Sequence, residues 1–139
     1  MFTPVSMRSA NTYQSIGTET LVMGADPHRL VGLLFDALQQ SLATAKSGML
    51  TGDIAVKARA ISRAVRILEE GLKAALNDNE GGEVAANLRS LYDYCIFKTS
   101  EANIRNDVAS IEEVISLIEP VADGWSQIRG QIGLPRYLS

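Results

Sequence analysis

Apolar residues recur at steps of three and four along most of this chain, the spacing of one face of an α-helix. The clearest run follows Gly81-Gly82. There Val84, Leu88, Leu91, Tyr92, Cys95, Thr99 and Ala102 share one stripe, and Glu83 places a negative charge at the start. This predicts a helix over about 83–104. At about 100° per residue, Tyr94 and Phe97 fall roughly opposite that stripe, where a simple surface helix carries charges. An aromatic pair on that face needs a cover.

Three more helices are legible. Asp26 is a good N-cap and Pro27 a good first residue, having no N–H to leave unsatisfied, so a helix is expected over about 27–50. Leu30, Leu33, Leu34, Ala37, Leu38, Ser41 and Ala45 form its main stripe. Val31, Phe35, Leu42 and Met49 widen that stripe beyond what packing against one layer of helices demands. Gly32 and Gly48 weaken this helix by about 1 kcal/mol each relative to alanine. After Thr51-Gly52, Asp53 caps a second helix over about 53–77, with Ile54, Ala58, Ile61, Ala64, Val65, Leu68, Leu72 and Ala75 facing the core and Ile67 off the stripe. Asn77, Asp78, Asn79, Gly81 and Gly82 are turn residues. Asn106-Asp107 caps a last helix over about 108–129, built on Ile111, Val114, Ile115, Ile118, Val121, Ala122, Trp125 and Ile128. Pro120 removes a hydrogen bond inside it, so a bend or short break is expected near Ser116 to Pro120.

Residues 1–25 scatter Phe2, Val5, Met7, Tyr13, Ile16 and Leu21 without a sustained period, as in an N-terminal arm partly ordered against the rest. Gly133 and Pro135 make 131–139 an irregular tail. With short connections, the expected fold is all-α: an antiparallel four-helix bundle over 26–130, an N-terminal arm and a short C-terminal tail.

Composition narrows the function. At 139 residues, 46% hydrophobic and 21% charged, the chain can bury the core of one domain. Its net charge of −3 is spread along the sequence without a basic stripe, which argues against nucleic acid. The single cysteine, Cys95, lies on an apolar stripe and reads as a buried thiol in a reducing compartment. Neither a secretory signal nor an apolar run long enough to insert into a membrane is expected, so the reading is cytoplasmic.

Candidate chemistry is thin. His28 is the only histidine and sits in a first helical turn, so a Cys95–His28 pair requires both residues to leave their settings. The Glu-x-x-His spacing of di-iron bundles, paired cysteines for zinc and glycine-rich phosphate loops are all absent, which implies no catalytic residue, cofactor or metal. What remains is surplus apolar surface: Tyr94, Phe97, the flank of the first helix and Ile67. The N-terminal arm or a second copy of the chain covers it in a purely structural reading. In a functional one it is a groove for an amphipathic helix.

The stretch GGEVAANLRSLYDY followed by EANIRND resembles the signature of the flagellar secretion chaperone family, FliS. Asp26-Pro27, Leu34-Phe35-Asp36, Gly52-Asp53 and Ala122-Asp123-Gly124-Trp125 extend the resemblance over nearly the whole chain, and Tyr13-Gln14 matches the family's arm. It implies a non-enzymatic type III export chaperone in the cytoplasm. Such a chaperone binds the C-terminal segment of flagellin one to one, blocks premature polymerisation and helps deliver flagellin to a component of the export gate. The contacts expected on this basis are Tyr13, Leu34, Phe35, Leu91, Tyr92, Tyr94 and Phe97. The resemblance also implies a continuous last helix through Pro120. The alternatives are a homodimeric structural bundle without a client and, third, an enzyme using Cys95 with His28.

Overall fold

Asp26 turns its carboxylate back onto the first helical turn, where Oδ1 accepts the Arg29 N–H at 2.7 Å. Asp53 does the same for Val56 at 3.1 Å. Each cap satisfies a backbone donor that has no partner inside its helix. The computed structural model describes residues 26–128, and these caps begin α1 (Pro27–Thr51) and α2 (Ile54–Arg66). A π-helical segment, Ile67–Leu72, continues α2 and is followed by α3 (Asp78–Arg105) and α4 (Val108–Ile128). The N-terminal arm with Tyr13, and the tail 131–139, lie outside the described residues.

The turns between helices use backbone that few side chains tolerate. Gly52 ends α1 in the left-handed region (φ 76°, ψ 17°), with its N–H returning to the Gly48 carbonyl. Gly82 adopts φ 55°, ψ −129° inside α3, so regular helix resumes only at Glu83.

Cross-helix polar contacts fix the directions. Trp125 Nε1–H donates to the His28 carbonyl at 3.0 Å and Lys46 pairs with Glu112 at 3.1 Å, which sets α1 and α4 antiparallel. Lys57 Nζ–H donates to the Asn103 carbonyl at 3.3 Å and Lys73 meets Asp93 at 2.6 Å, which does the same for α2 and α3. The result is an antiparallel four-helix bundle in which α1 packs chiefly on α2 and α4, with α3 across from it. Its core joins Leu34, Leu38 and Leu42 of α1 to Ile67, Leu68 and Leu72, to Tyr92 and Cys95 of α3, and to Ile111, Val114 and Ile118 of α4.

Several sequence expectations change here. The wide flank of α1 is not surplus: Val31, Phe35, Leu42 and Met49 are all buried, because α1 faces two neighbours rather than one. Ile67 is not off the core either, being fully buried. It follows the buried Ala60 and Ala64 by seven and three residues and so extends their side of the helix, and it opens a π-helical turn in which Lys73 N–H donates to the Leu68 carbonyl at 2.9 Å. Conversely, Ile54 and Val84, assigned to core stripes, are 73% and 66% exposed, because each lies in the opening turn of its helix. Helix α4 runs unbroken through Pro120 rather than breaking there. Both Pro120 and Ser116, whose carbonyl loses its partner, are on the exposed side, where the carbonyl is open to solvent and the missing hydrogen bond costs least.

Candidate docking surface

The outer side of α3 follows from the phase of its buried one. With Ala85, Tyr92, Cys95, Thr99 and Ala102 turned into the bundle, Tyr94, Phe97 and Ile104 project away from it, 41%, 59% and 83% exposed. Their spacing of three and seven residues keeps them along one side of the helix. A strip of large apolar side chains in water calls for a partner surface.

Its aromatic end is held in place. Tyr94 O–H donates to Glu113 Oε2 at 2.6 Å, and Lys98 Nζ lies 3.5 Å from the other oxygen of the same carboxylate and 3.7 Å from Glu101. The bond to Glu113 holds the Tyr94 hydroxyl above the usual phenol range, since ionisation would set two negative charges together. Thus the Tyr94 hydroxyl ties α3 to α4, while Phe97 beside it is open to solvent. The surface offers apolar contact and fixed hydrogen-bonding groups.

The expected contact residues divide by depth. Tyr94 and Phe97 are on the strip, and Leu91 is half-buried against the core. Leu34, Phe35 and Tyr92 are core side chains, at 0%, 2% and 3% exposure. Tyr13 lies outside the described residues. Ile104 was missed, although its position seven residues beyond Phe97 on the same helix could have marked it.

A second concavity lies between the first turns of α1 and the last turns of α4. It is a cavity of about 270 Å³ lined among others by His28, Phe35, Asp36, Asp123 and Trp125. The His28 ring stacks on the Trp125 indole, centroids 4.2 Å apart and planes 10° from parallel, and Phe35 tilts against the same indole. Cys95 is fully buried in the core, where desolvation pushes its thiol up to about 11. Among the described residues no cluster of three metal-ligating side chains occurs, and no helix is long and apolar enough to cross a membrane.

Comparison with known proteins adds an independent line. The sequence profile of the family described as flagellar protein FliS matches residues 9–132. The flagellar secretion chaperone FliS of Salmonella typhimurium is 43% identical over 116 residues, covering 84% of this chain and 86% of that protein. FliSB of Pseudomonas aeruginosa is 38% identical over 123 residues, 88% and 97% of the two chains. FliS of Escherichia coli is 35% identical over 120 residues, 86% and 88%. An all-α bundle with this much of its length shared at this identity belongs to the FliS family of flagellar proteins.

Proposed function

We propose that this chain is a flagellar export chaperone that holds the C-terminal segment of flagellin in the cytoplasm, one to one, and keeps it from polymerising until it is handed to the export gate. The names of its relatives as flagellar secretion chaperones support the general role, which is non-enzymatic. The observation that supports the finer reading is the strip of Tyr94, Phe97 and Ile104, exposed together along one side of one helix, whereas Leu50, Ile54, Val84 and Ile128, the other exposed large apolar side chains among the described residues, lie singly near helix ends. An amphipathic client helix that lays its apolar face along α3 hides the same side chains it would use against other flagellin subunits. Ordering the client on binding costs part of the gross interaction energy, which keeps the complex releasable without nucleotide hydrolysis.

The test is calorimetric titration with the C-terminal segment of the same organism's flagellin, with circular dichroism of the end points. We expect one-to-one binding with a gain of helix. Heat-silent mixing, together with a mass in dilute solution equal to twice the chain, would instead favour a structural homodimer closed over the α3 strip.

A further inference from the structure

The strip on the outer side of α3 is apolar except at one position. Taken along the helix, Tyr94, Phe97, Glu101 and Ile104 follow one another at steps of three, four and three, which keeps all four within about 80° of arc. Glu101 therefore stands on the same line as the exposed apolar side chains, partly buried between Phe97 and Ile104. We propose that Glu101 fixes the register of the client: a flagellin helix of about three turns lies along α3 with apolar side chains against Tyr94, Phe97 and Ile104 and a lysine or arginine opposite Glu101. This assignment rests on the chaperone reading and adds to it the charge that the client must carry.

The length follows from where the strip ends. Toward the start of α3 the same line continues through Ser90 and Asn87, which are polar and exposed, and in the other direction the helix stops at Arg105. From Tyr94 to Ile104 the helix rises about 15 Å, which about three turns of a partner cover.

The charge follows from the neighbours of Glu101. Lys98 Nζ is shared between Glu101 at 3.7 Å and Glu113 at 3.5 Å, so two carboxylates have one ammonium between them. Arg105, one turn beyond Glu101, forms no ion pair with it among the described residues. In water the remaining negative charge costs little. Beneath an apolar side chain of the client it loses its hydration without a substitute, whereas opposite a lysine or arginine it is matched. A lone charged position in an apolar seam thus discriminates among registers, because sliding the client by one turn sets an apolar side chain on the carboxylate and the basic one on Phe97 or Ile104. The neighbouring helix adds to the attraction: α4 carries Glu112, Glu113, Glu119 and Asp123 and has no lysine or arginine between Val108 and Ile128. A second copy of the chain closed over the strip would bring a second Glu101 to the same seam, which favours a basic client over self-pairing.

The experiment is calorimetric titration of the flagellin C-terminal segment into the parent, Glu101→Gln and Glu101→Lys, at low and at high salt. Both variants are expected to keep the parent's circular dichroism and unfolding midpoint, since Glu101 takes part only in a surface ion pair. Affinity should fall several-fold for Glu101→Gln and by about ten-fold or more for Glu101→Lys, and added salt should weaken the parent more than Glu101→Gln. Reversing one lysine or arginine of the segment to glutamate should restore binding to Glu101→Lys, a rescue that a merely structural role does not give. Glu101→Lys that binds as tightly as the parent, or a loss that no single charge reversal in the segment rescues, overturns the proposal and leaves the chaperone reading standing. A parent that does not bind the segment overturns both.

Discussion

Gly48 of α1 lies so close to the start of α2 that a methyl group on its α-carbon would stand 2.8 Å from the Lys57 backbone nitrogen and 3.1 Å from the Lys57 α-carbon. The obstacle is backbone, which cannot rotate away as a side-chain tip does. Replacing glycine by alanine inside a helix ordinarily gains about 1 kcal/mol. Here Gly48→Ala is expected to destabilise the fold by about 1–3 kcal/mol net, because the two helices must separate. A urea unfolding midpoint above that of the parent would show that the close approach relaxes freely.

Phe97 and Tyr94 differ in what they lose on substitution. Phe97→Ala removes exposed apolar area and no hydrogen bond, so stability should stay within about 0.5 kcal/mol of the parent. Its affinity for the flagellin segment should fall by roughly ten-fold or more if the ring is an anchor of the interface. Tyr94→Phe keeps the ring and drops the bond to Glu113, and is expected to bind nearly as the parent does, whereas Tyr94→Ala is not. Equal affinity for all three variants in calorimetry would place the client elsewhere.

Cys95 gives the protein a pH dependence on the alkaline side. Its thiol is pushed by burial from about 9 to about 11. Between those values the unfolded chain has lost the proton and the folded chain retains it, so stability falls as pH rises through this window. At about 1.4 kcal/mol per unit the loss reaches about 2–3 kcal/mol. Burial raises Tyr92 as well, which adds to the decline above pH 10. The measurement is denaturant unfolding at pH 8, 9, 10 and 11 for the parent and Cys95→Ala, in which the slope should flatten in its lower part. The same burial predicts slow alkylation of the native thiol at neutral pH.

Thr99 is fully buried and its Oγ1 has no hydrogen-bond partner among the described residues. A hydroxyl in that position has given up water without a substitute. Thr99→Val keeps the shape and removes the polar atom, so it should raise stability by about 1 kcal/mol; Thr99→Ala, which leaves a void, should not. A lower melting temperature for the valine variant would point to a buried water bonded to the hydroxyl.

The four helices were legible because Asp26, Asp53 and the glycines around residues 52 and 82 are local signals, and local signals suffice to start and stop a helix. What periodicity leaves out is how many neighbours each helix has. The width of α1's apolar face looked like excess on the assumption of one packing layer, and α2 and α4 together account for it. Ile67 was misplaced for the same reason: the side it shares with Ala60 and Ala64 is buried because this helix, too, packs against two neighbours. For the docking strip, the aromatic pair on α3 was visible by phase alone, while the depth of Leu34, Phe35 and Tyr92 depends on the assembled bundle. Trp125 stacking on His28 joins residues 97 positions apart. No pattern in the sequence announces that contact.

The π segment Ile67–Leu72 changes the hydrogen-bond ladder of one helix without changing the side it presents. Ala64 before it and Leu68, Leu72 and Ala75 within and after it keep the three- and four-residue steps of one stripe, and all four are buried in the same core. The wide turn, with Lys73 N–H reaching five residues back to the Leu68 carbonyl, therefore takes up a local misfit in the backbone and leaves the apolar face whole.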